Sequence, residues 1–294
     1  MDKIEVDEPI VSVDQSTVKY FREHLAQVVG FLIVFAIVEI GAVMGFILNG
    51  TALNSAGDNG NSIYGIFIVL PLIALAAAYS YVHQRILDEF FEQFAKANGY
   101  TFSEHGGNFG ALDGALFRLG YNQTVMDTVS GAYLGCPIWL FLYSYMTGSG
   151  RQRQVHRYTV FELQFDTEMP DFLLEKKEPL LGIGFGSELF SQLPEHIKLE
   201  GDFNKYFSLS IKKGYEVEAL EVFTPDVMAE LEDKCKNLSL EIINSHLFIY
   251  YGATASTKAS LDALYGAAQY FVQKLAPVLT RMKAPTEAME EVQG

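Results

Sequence analysis

Few side chains in this sequence have a type and spacing suited to chemistry. The segment 148–157 (GSGRQRQVHR) gathers Arg151, Arg153 and Arg157 in a chain of net charge −15. Strand alternation would place the three on one side, where guanidinium forks could hold a phosphate or carboxylate. The competing reading is a solvated hairpin tip whose arginines pair with nearby acids. Glu39 is the only ionisable side chain between Leu25 and Leu48. A carboxyl at that depth in an apolar helix must be protonated, paired or facing water. It would serve as a proton or ion relay, or as a structural hydrogen bond to the Phe67 carbonyl that Pro71 leaves free. Gly41 and Gly45 form a GxxxG pair suited to close helix packing, within a hairpin or between two copies. His24 and His83 flank the apolar blocks beside Arg22 and Arg85, positions that fit a pH- or metal-responsive pair or plain interfacial anchoring.

Familiar catalytic patterns are missing. Gly182–Gly186 (GIGFG) lacks both the Lys-Ser/Thr of a phosphate loop and the spacing of a dinucleotide fingerprint. His105, His156, His196 and His246 are scattered without HExxH or cysteine partners, and no GxSxG is present. Cys136 and Cys235 match no metal motif, so neither zinc nor a disulfide is expected, and no cofactor is implied. An enzyme remains only as an unfamiliar one in the C-terminal part.

The elements that would carry these residues begin with two apolar blocks. Mean hydropathy is +0.14 over the chain, and the excess is local. Leu25–Leu48 holds about fifteen Leu, Ile, Val and Phe at roughly −0.3 to −0.6 kcal/mol each, which outweighs roughly +3 kcal/mol for one central carboxylate. Ile63–Val82 has no side chain that is charged at neutral pH. Both reach the bilayer-spanning length. Lys3, Lys19 and Arg22 precede the first block, Arg85 and Lys96 follow the second, and the linker Asn49–Ser62 has no Lys or Arg, so both termini are expected in the cytoplasm of a multi-pass cell-membrane protein. Even without residues 1–83 the chain stays strongly acidic, which argues against nucleic acid as a partner and against attachment through a polybasic surface.

Residues 1–18 read as an acidic mobile leader, and 19–98 as a two-helix transmembrane hairpin with a linking helix, Arg85–Ala97, whose Ile86, Leu87, Phe90, Phe91 and Phe94 make one stripe ending at Asn98-Gly99. Residues 99–283 read as a cytosolic α+β domain with an antiparallel sheet, as one body or as two lobes (99–177 and 178–283), and 284–294 as a disordered tail. Expected strands are Ile138–Met146 and Arg153–Phe165 around Thr147–Gly150, with Glu162 and Gln164 on the open side of a half-buried strand. Further strands are Tyr206–Ile211, Glu218–Val222, and Leu238–Ile243 with His246–Tyr251. Thr224-Pro225-Asp226 should open a helix running to about Lys236. Leu261, Leu264, Tyr265, Ala268, Phe271, Val272 and Leu275 should line a closing helix that stops at Pro277.

The residues Asp202–Phe207, Glu218-Ala219, Thr224–Met228 with Leu231, and His246–Ile249 also carry a likeness. In these, in the two apolar blocks and in the aromatic hairpin around Gly148–Gly150, the chain resembles a family of uncharacterised bacterial membrane-anchored proteins bearing a domain of unknown function. The resemblance implies a bacterial cytoplasmic-membrane protein with a cytosolic domain, and no catalytic residues. The leading expectation is therefore a membrane-tethered binding or scaffolding module whose partners are the lipid bilayer and a protein or small anionic ligand, with homo-oligomerisation possible through Gly41 and Gly45. The rivals are a membrane-embedded sensor or accessory subunit using Glu39, and an unrecognised cytosolic enzyme.

Overall fold

The computed structural model describes residues 12–49, 60–106, 113–177, 195–197, 199, 202–211 and 214–281; within these, the side chains of 39, 42–43, 45–49, 60–72, 195–196 and 218 are not described. The chain divides into two compact units, at Phe90/Phe91 among the described residues.

The helical unit contains α1 (Val13–Glu23), α2 (Leu25–Asn49) and the long helix α3 (Gly60–Ala97) as far as Phe90. Residues 13–18 are thus helical, which corrects the leader expected over 1–18. Val13 and Thr17 are buried. The Thr17 hydroxyl donates to the Val13 carbonyl (2.7 Å) and lies 3.3 Å from His83 Nδ1, while Asp14 stands 3.8 Å from the same nitrogen and Phe21 stacks on Tyr79. These contacts tie α1 to α3. The chain turns at His24, whose ring stacks on Tyr20 and whose Nδ1 is 2.8 Å from the Tyr20 carbonyl. The expected linking helix is not separate, because no Gly or Pro interrupts the run after Pro71 and α3 continues without a break to Ala97. Among the described residues no single helix is long and apolar enough to cross a membrane; α1 with Leu25–Val38 passes as a pair bent by 64°.

The second unit is an α+β fold on one antiparallel sheet, with nine strands among the described residues: β1 (Thr101–His105), β2 (Tyr121–Tyr133), β3 (Cys136–Thr147), β4 (Gln154–Gln164), β5 (Phe172–Lys176), β6 (Glu195–Ile197), β7 (Phe207–Ile211), β8 (Leu238–Ile243) and β9 (His246–Tyr251). Their order is β1-β2-β3-β4-β9-β8-β5-β7-β6. β4 pairs with β9, and β5 lies between β8 and β7. The sheet therefore runs unbroken across the expected lobe boundary near 177, so 99–177 and 178–283 are not separate lobes. Two distant segments complete each other's hydrogen-bond ladders.

Helices cover one face. α7 (Lys258–Tyr270), opened by a Thr257/Ser260 capping box, buries Leu261, Leu264, Tyr265 and Ala268, with Tyr265 against Phe161 and against Phe94 near the end of α3. Phe271 and Phe223 pack on Phe172. The closing helix does not stop at Pro277. A π turn over Phe271–Leu275 shifts the hydrogen-bond ladder, so Pro277 falls in the first turn of α8 (Ala276–Leu279), where its missing N–H costs nothing. Residues 218–222 are helical, within α5 (Glu216–Val222), rather than a strand: Ala219, Val222 and Phe223 are buried at spacings of three and four, whereas Val217 and Leu220 are exposed. The short helix α4 (Phe203–Tyr206) takes the start of the expected 206–211 strand. The helix α6 (Pro225–Cys235) begins as read, with Thr224 Oγ1 accepting from the Val227 N–H, and α3 ends as read, at Gly99 in a left-handed conformation.

Candidate functional site

The opposite sheet face is built from aromatic rings and buried acids. Cross-strand register sets two neighbouring rows on it: Trp139, Glu162, Phe248, Glu241, Leu173 and Ser210, and beside them Phe141, Val160, Tyr250 and Ser239. Glu162, Glu175 and Glu241 are all almost fully buried. The expectation that Glu162 lies on the open side of a half-buried strand is corrected here: both faces of β4 are covered, and Glu162 has no exposure.

Burying a carboxylate is costly unless hydrogen bonds compensate. Glu241 receives them from two sources. The Tyr250 hydroxyl donates to Oε2 at 2.5 Å, and the Ala115 N–H lies 3.0 Å from both carboxylate oxygens. That amide opens a single 3-10 turn, Ala115–Arg118, which drives Leu116 and Phe117 into a cluster of Phe141, Tyr143, Tyr145, Val160, Phe248 and Tyr250. Phe117 meets Tyr143 and Phe248 edge to face, with centroids 5.0 and 5.5 Å apart. Gln123 bridges the Phe117 and Leu119 carbonyls, closing the far side of the turn. Gly114 is required: a Cβ there would lie 2.3 Å from Tyr250 Oη. Burial pushes the Glu241 carboxyl above its ordinary range, against the hydrogen bonds from Tyr250 and Ala115 and the charge of Arg118. Burial likewise drives Tyr250 well above its ordinary value and raises Tyr143 to about 12. None of these phenols is an acid at neutral pH. On the same face, one row along, His246 Nδ1 lies 2.8 Å from Glu162 Oε1. The face is thus a rigid, fully packed platform around a pinned turn.

The hairpin tip is open. Thr147, Gly148, Arg151, Gln152, Arg153 and Gln154 line a groove there. Arg157 does not line it. Gly150–Gln152 form a 3-10 turn and β4 starts only at Gln154, so strand alternation does not relate Arg151 and Arg153 to Arg157. His24 and His83 are not partners: the first bonds to Tyr20, the second to Thr17 and Asp14. A Cβ at Gly41 would meet nothing within 4 Å. The side chains of Glu39, Gly45 and Pro71, and the segment 182–186, lie outside the described residues. Among the described residues no group of His, Cys, Asp or Glu is placed to hold a metal ion. Burial raises the thiol of Cys235 to about 12, and both cysteines are free.

Sequence reasoning passed over Glu241, Glu162 and Tyr250 as site residues. The available signal was a lone carboxylate inside an otherwise apolar strand, Leu238–Ile243 (LSLEII), but nothing in it announces the Ala115 amide from a segment more than a hundred residues earlier.

No family model and no curated protein matches the chain. Among solved structures, the crystal structure of the mycobacterial trehalose monomycolate transport factor A, TtfA, is similar over 67% of this chain and 98% of that one, at 13% identity and a TM-score of 0.46.

Proposed function

We propose that the protein is a membrane-tethered binding module: α2 and the first part of α3 form a transmembrane hairpin, and the sheet unit, on the cytoplasmic side, presents an exposed recognition surface. One observation carries the reading. The apolar side chains of α2 face outward. Phe31, Ile33, Val34, Ile37, Val38 and Ile40 are 55–63% exposed, and with Leu25, Val29 and Met44 they cover about two-thirds of the helix circumference at 100° per residue. A helix of a water-soluble domain buries its apolar stripe and turns polar residues outward. Here the outward surface is itself apolar, and water is the wrong solvent for it. The sheet unit, in contrast, buries apolar side chains on both faces, under α7 on one and around Phe117 on the other. The likeness to two-pass bacterial membrane proteins, read from Asp202–Phe207, Thr224–Met228 and His246–Ile249, supports the same assignment.

Alkaline carbonate extraction of native membranes tests the tether, and labelling with a charged, membrane-impermeant maleimide tests its orientation. The chain is expected to stay in the pellet. Replacing Ile37 by Arg adds roughly 3–4 kcal/mol to insertion and should release a measurable fraction. Cys136, half-buried, should label only after the cells are permeabilised. Wild-type protein in the carbonate supernatant, or Cys136 labelling in intact cells, would refute the tether or the orientation respectively.

A further inference from the structure

We infer that the groove at the β3–β4 hairpin tip is a phosphate-binding site, formed by the side chains of Arg151 and Arg153 on a preset turn. This rests on the reading of the sheet unit as a binding module and names the ligand chemistry for it. Two arginines line the groove in a chain of net charge −15. Among the described residues neither has an ion pair or a hydrogen bond; the basic tip is uncompensated although acids abound elsewhere. A solvated surface arginine in an acidic protein finds carboxylates easily, so a pair kept clear of them is available to an external anion.

The backbone beneath is held from four directions. Gly148 has φ +72, and a Cβ on it would lie 2.3 Å from the Gln152 carbonyl oxygen, so the turn closes over glycine alone. Tyr121 Oη donates to the Gly148 carbonyl at 2.8 Å, and the Gln152 N–H donates to the Ser149 carbonyl at 3.1 Å. Thr147 Oγ1 lies 2.8 Å from His156 Nε2, and His156 stacks on Tyr145, which belongs to the buried cluster. The tip is thereby braced against the aromatic core. Bracing reduces what must be ordered on binding, leaving mainly the two arginine side chains. The remaining polar lining, Gln152 and Gln154, can supply further amide donors. Forked guanidinium groups match the oxygens of a phosphate, and Lys at the same positions would supply charge without the fork.

The source of the phosphate can be a small soluble phosphorylated molecule or a lipid headgroup, and the experiment separates them. Full-length protein in neutral detergent micelles is titrated with inorganic phosphate and with O-phosphoserine, and in parallel is reconstituted in phosphatidylcholine vesicles with and without phosphatidylglycerol. Saturable binding of the soluble probes is expected, reduced at least tenfold in Arg151→Gln/Arg153→Gln, and reduced also in Arg151→Lys/Arg153→Lys and in Gly148→Ala, which keeps both charges but disturbs the turn. A response to phosphatidylglycerol alone, with none to the soluble probes, would assign the groove to headgroups and overturn a soluble ligand. No saturable binding of any probe, or equal binding by the Lys and Gly148→Ala variants, would overturn the site itself. Because the titration is done in micelles, its failure leaves the carbonate extraction result, and so the tether, untouched.

Discussion

Replacing Tyr250 by Phe removes one oxygen and leaves the ring in place against Phe248 and Phe117, so the perturbation is confined to the hydrogen bond on Glu241. The 2.5 Å separation is in the range of a hydroxyl bonded to a charged carboxylate, and such bonds contribute about 1.5–3 kcal/mol against about 1 for a neutral pair. Tyr250→Phe should therefore cost about 2 kcal/mol where Glu241 is ionised, a figure taken from the charged range. It should also loosen the Ala115–Arg118 turn, because the carboxylate then keeps Ala115 N–H as its remaining partner of the two described above. The sign with pH follows from the same geometry. Glu241 in the fold titrates above its ordinary 4.5 because it is buried, so the folded state holds the proton more tightly than the unfolded state and stability falls as pH rises through that window. Tyr250 stabilises the ionised form, so its removal should cost most above the window and shrink toward the neutral value below pH 4.5. Trp139, the single tryptophan, packs against this cluster and reports urea unfolding in micelles, while hydrogen exchange at the Ala115 amide reports the turn. Paired with Glu241→Gln, Tyr250→Phe should lose about half its cost, down to the neutral-bond value. A cost below about 0.5 kcal/mol, the low edge of the neutral range, or one unchanged by pH and by Glu241→Gln, would refute the account of Glu241 as the pin.

Other outcomes follow from the same contacts. Glu241→Gln, which keeps an acceptor for Ala115 and a polar partner for Tyr250, should gain stability relative to the parent as pH is raised above 4.5 and match it below, read by urea midpoints across pH. Gly114→Ala should destabilise by about 1–3 kcal/mol through its clash with Tyr250 Oη and speed exchange at Ala115. His246→Ala, which strips the 2.8 Å hydrogen-bond partner from the buried Glu162, should cost about 1–3 kcal/mol by the same unfolding assay. Thr224→Ala should cost about 1 kcal/mol, seen as faster exchange in the first turn of α6. At neutral pH, maleimide should spare Cys235, whose thiol is held at about 12, and react with Cys136 first; mass spectrometry of labelled peptides decides this.

Local chemistry was sufficient for much of the chain. The Thr224-Pro225 cap, the strands Leu238–Ile243 and His246–Tyr251 joined through Asn244-Ser245, and the stripe of Leu261, Leu264, Tyr265 and Ala268 depend on propensities and periods spanning a few residues, and each forms where the pattern places it. The apolar run through Ile138–Met146 also behaves as its length and aromatic content require, as strand β3. Where two periods compete, as at Glu216–Val222, the pattern is ambiguous, and contact with Phe172 through Phe223 selects the helix. The strand order was not legible, since β5 inserts between β8 and β7 through backbone hydrogen bonds that bear no side-chain signature. Nor was the burial of Glu162 and Glu241. A carboxylate in a strand reads as solvent-facing until an amide or imidazole from far along the chain arrives to compensate it; Ala115 and His246 arrive only through the fold, whereas Tyr250 meets Glu241 across the β8–β9 hairpin. Solvent preference is a property of short stretches and is written in composition; compensation of buried charge is a property of pairs far apart in the chain, and only folding brings those pairs together.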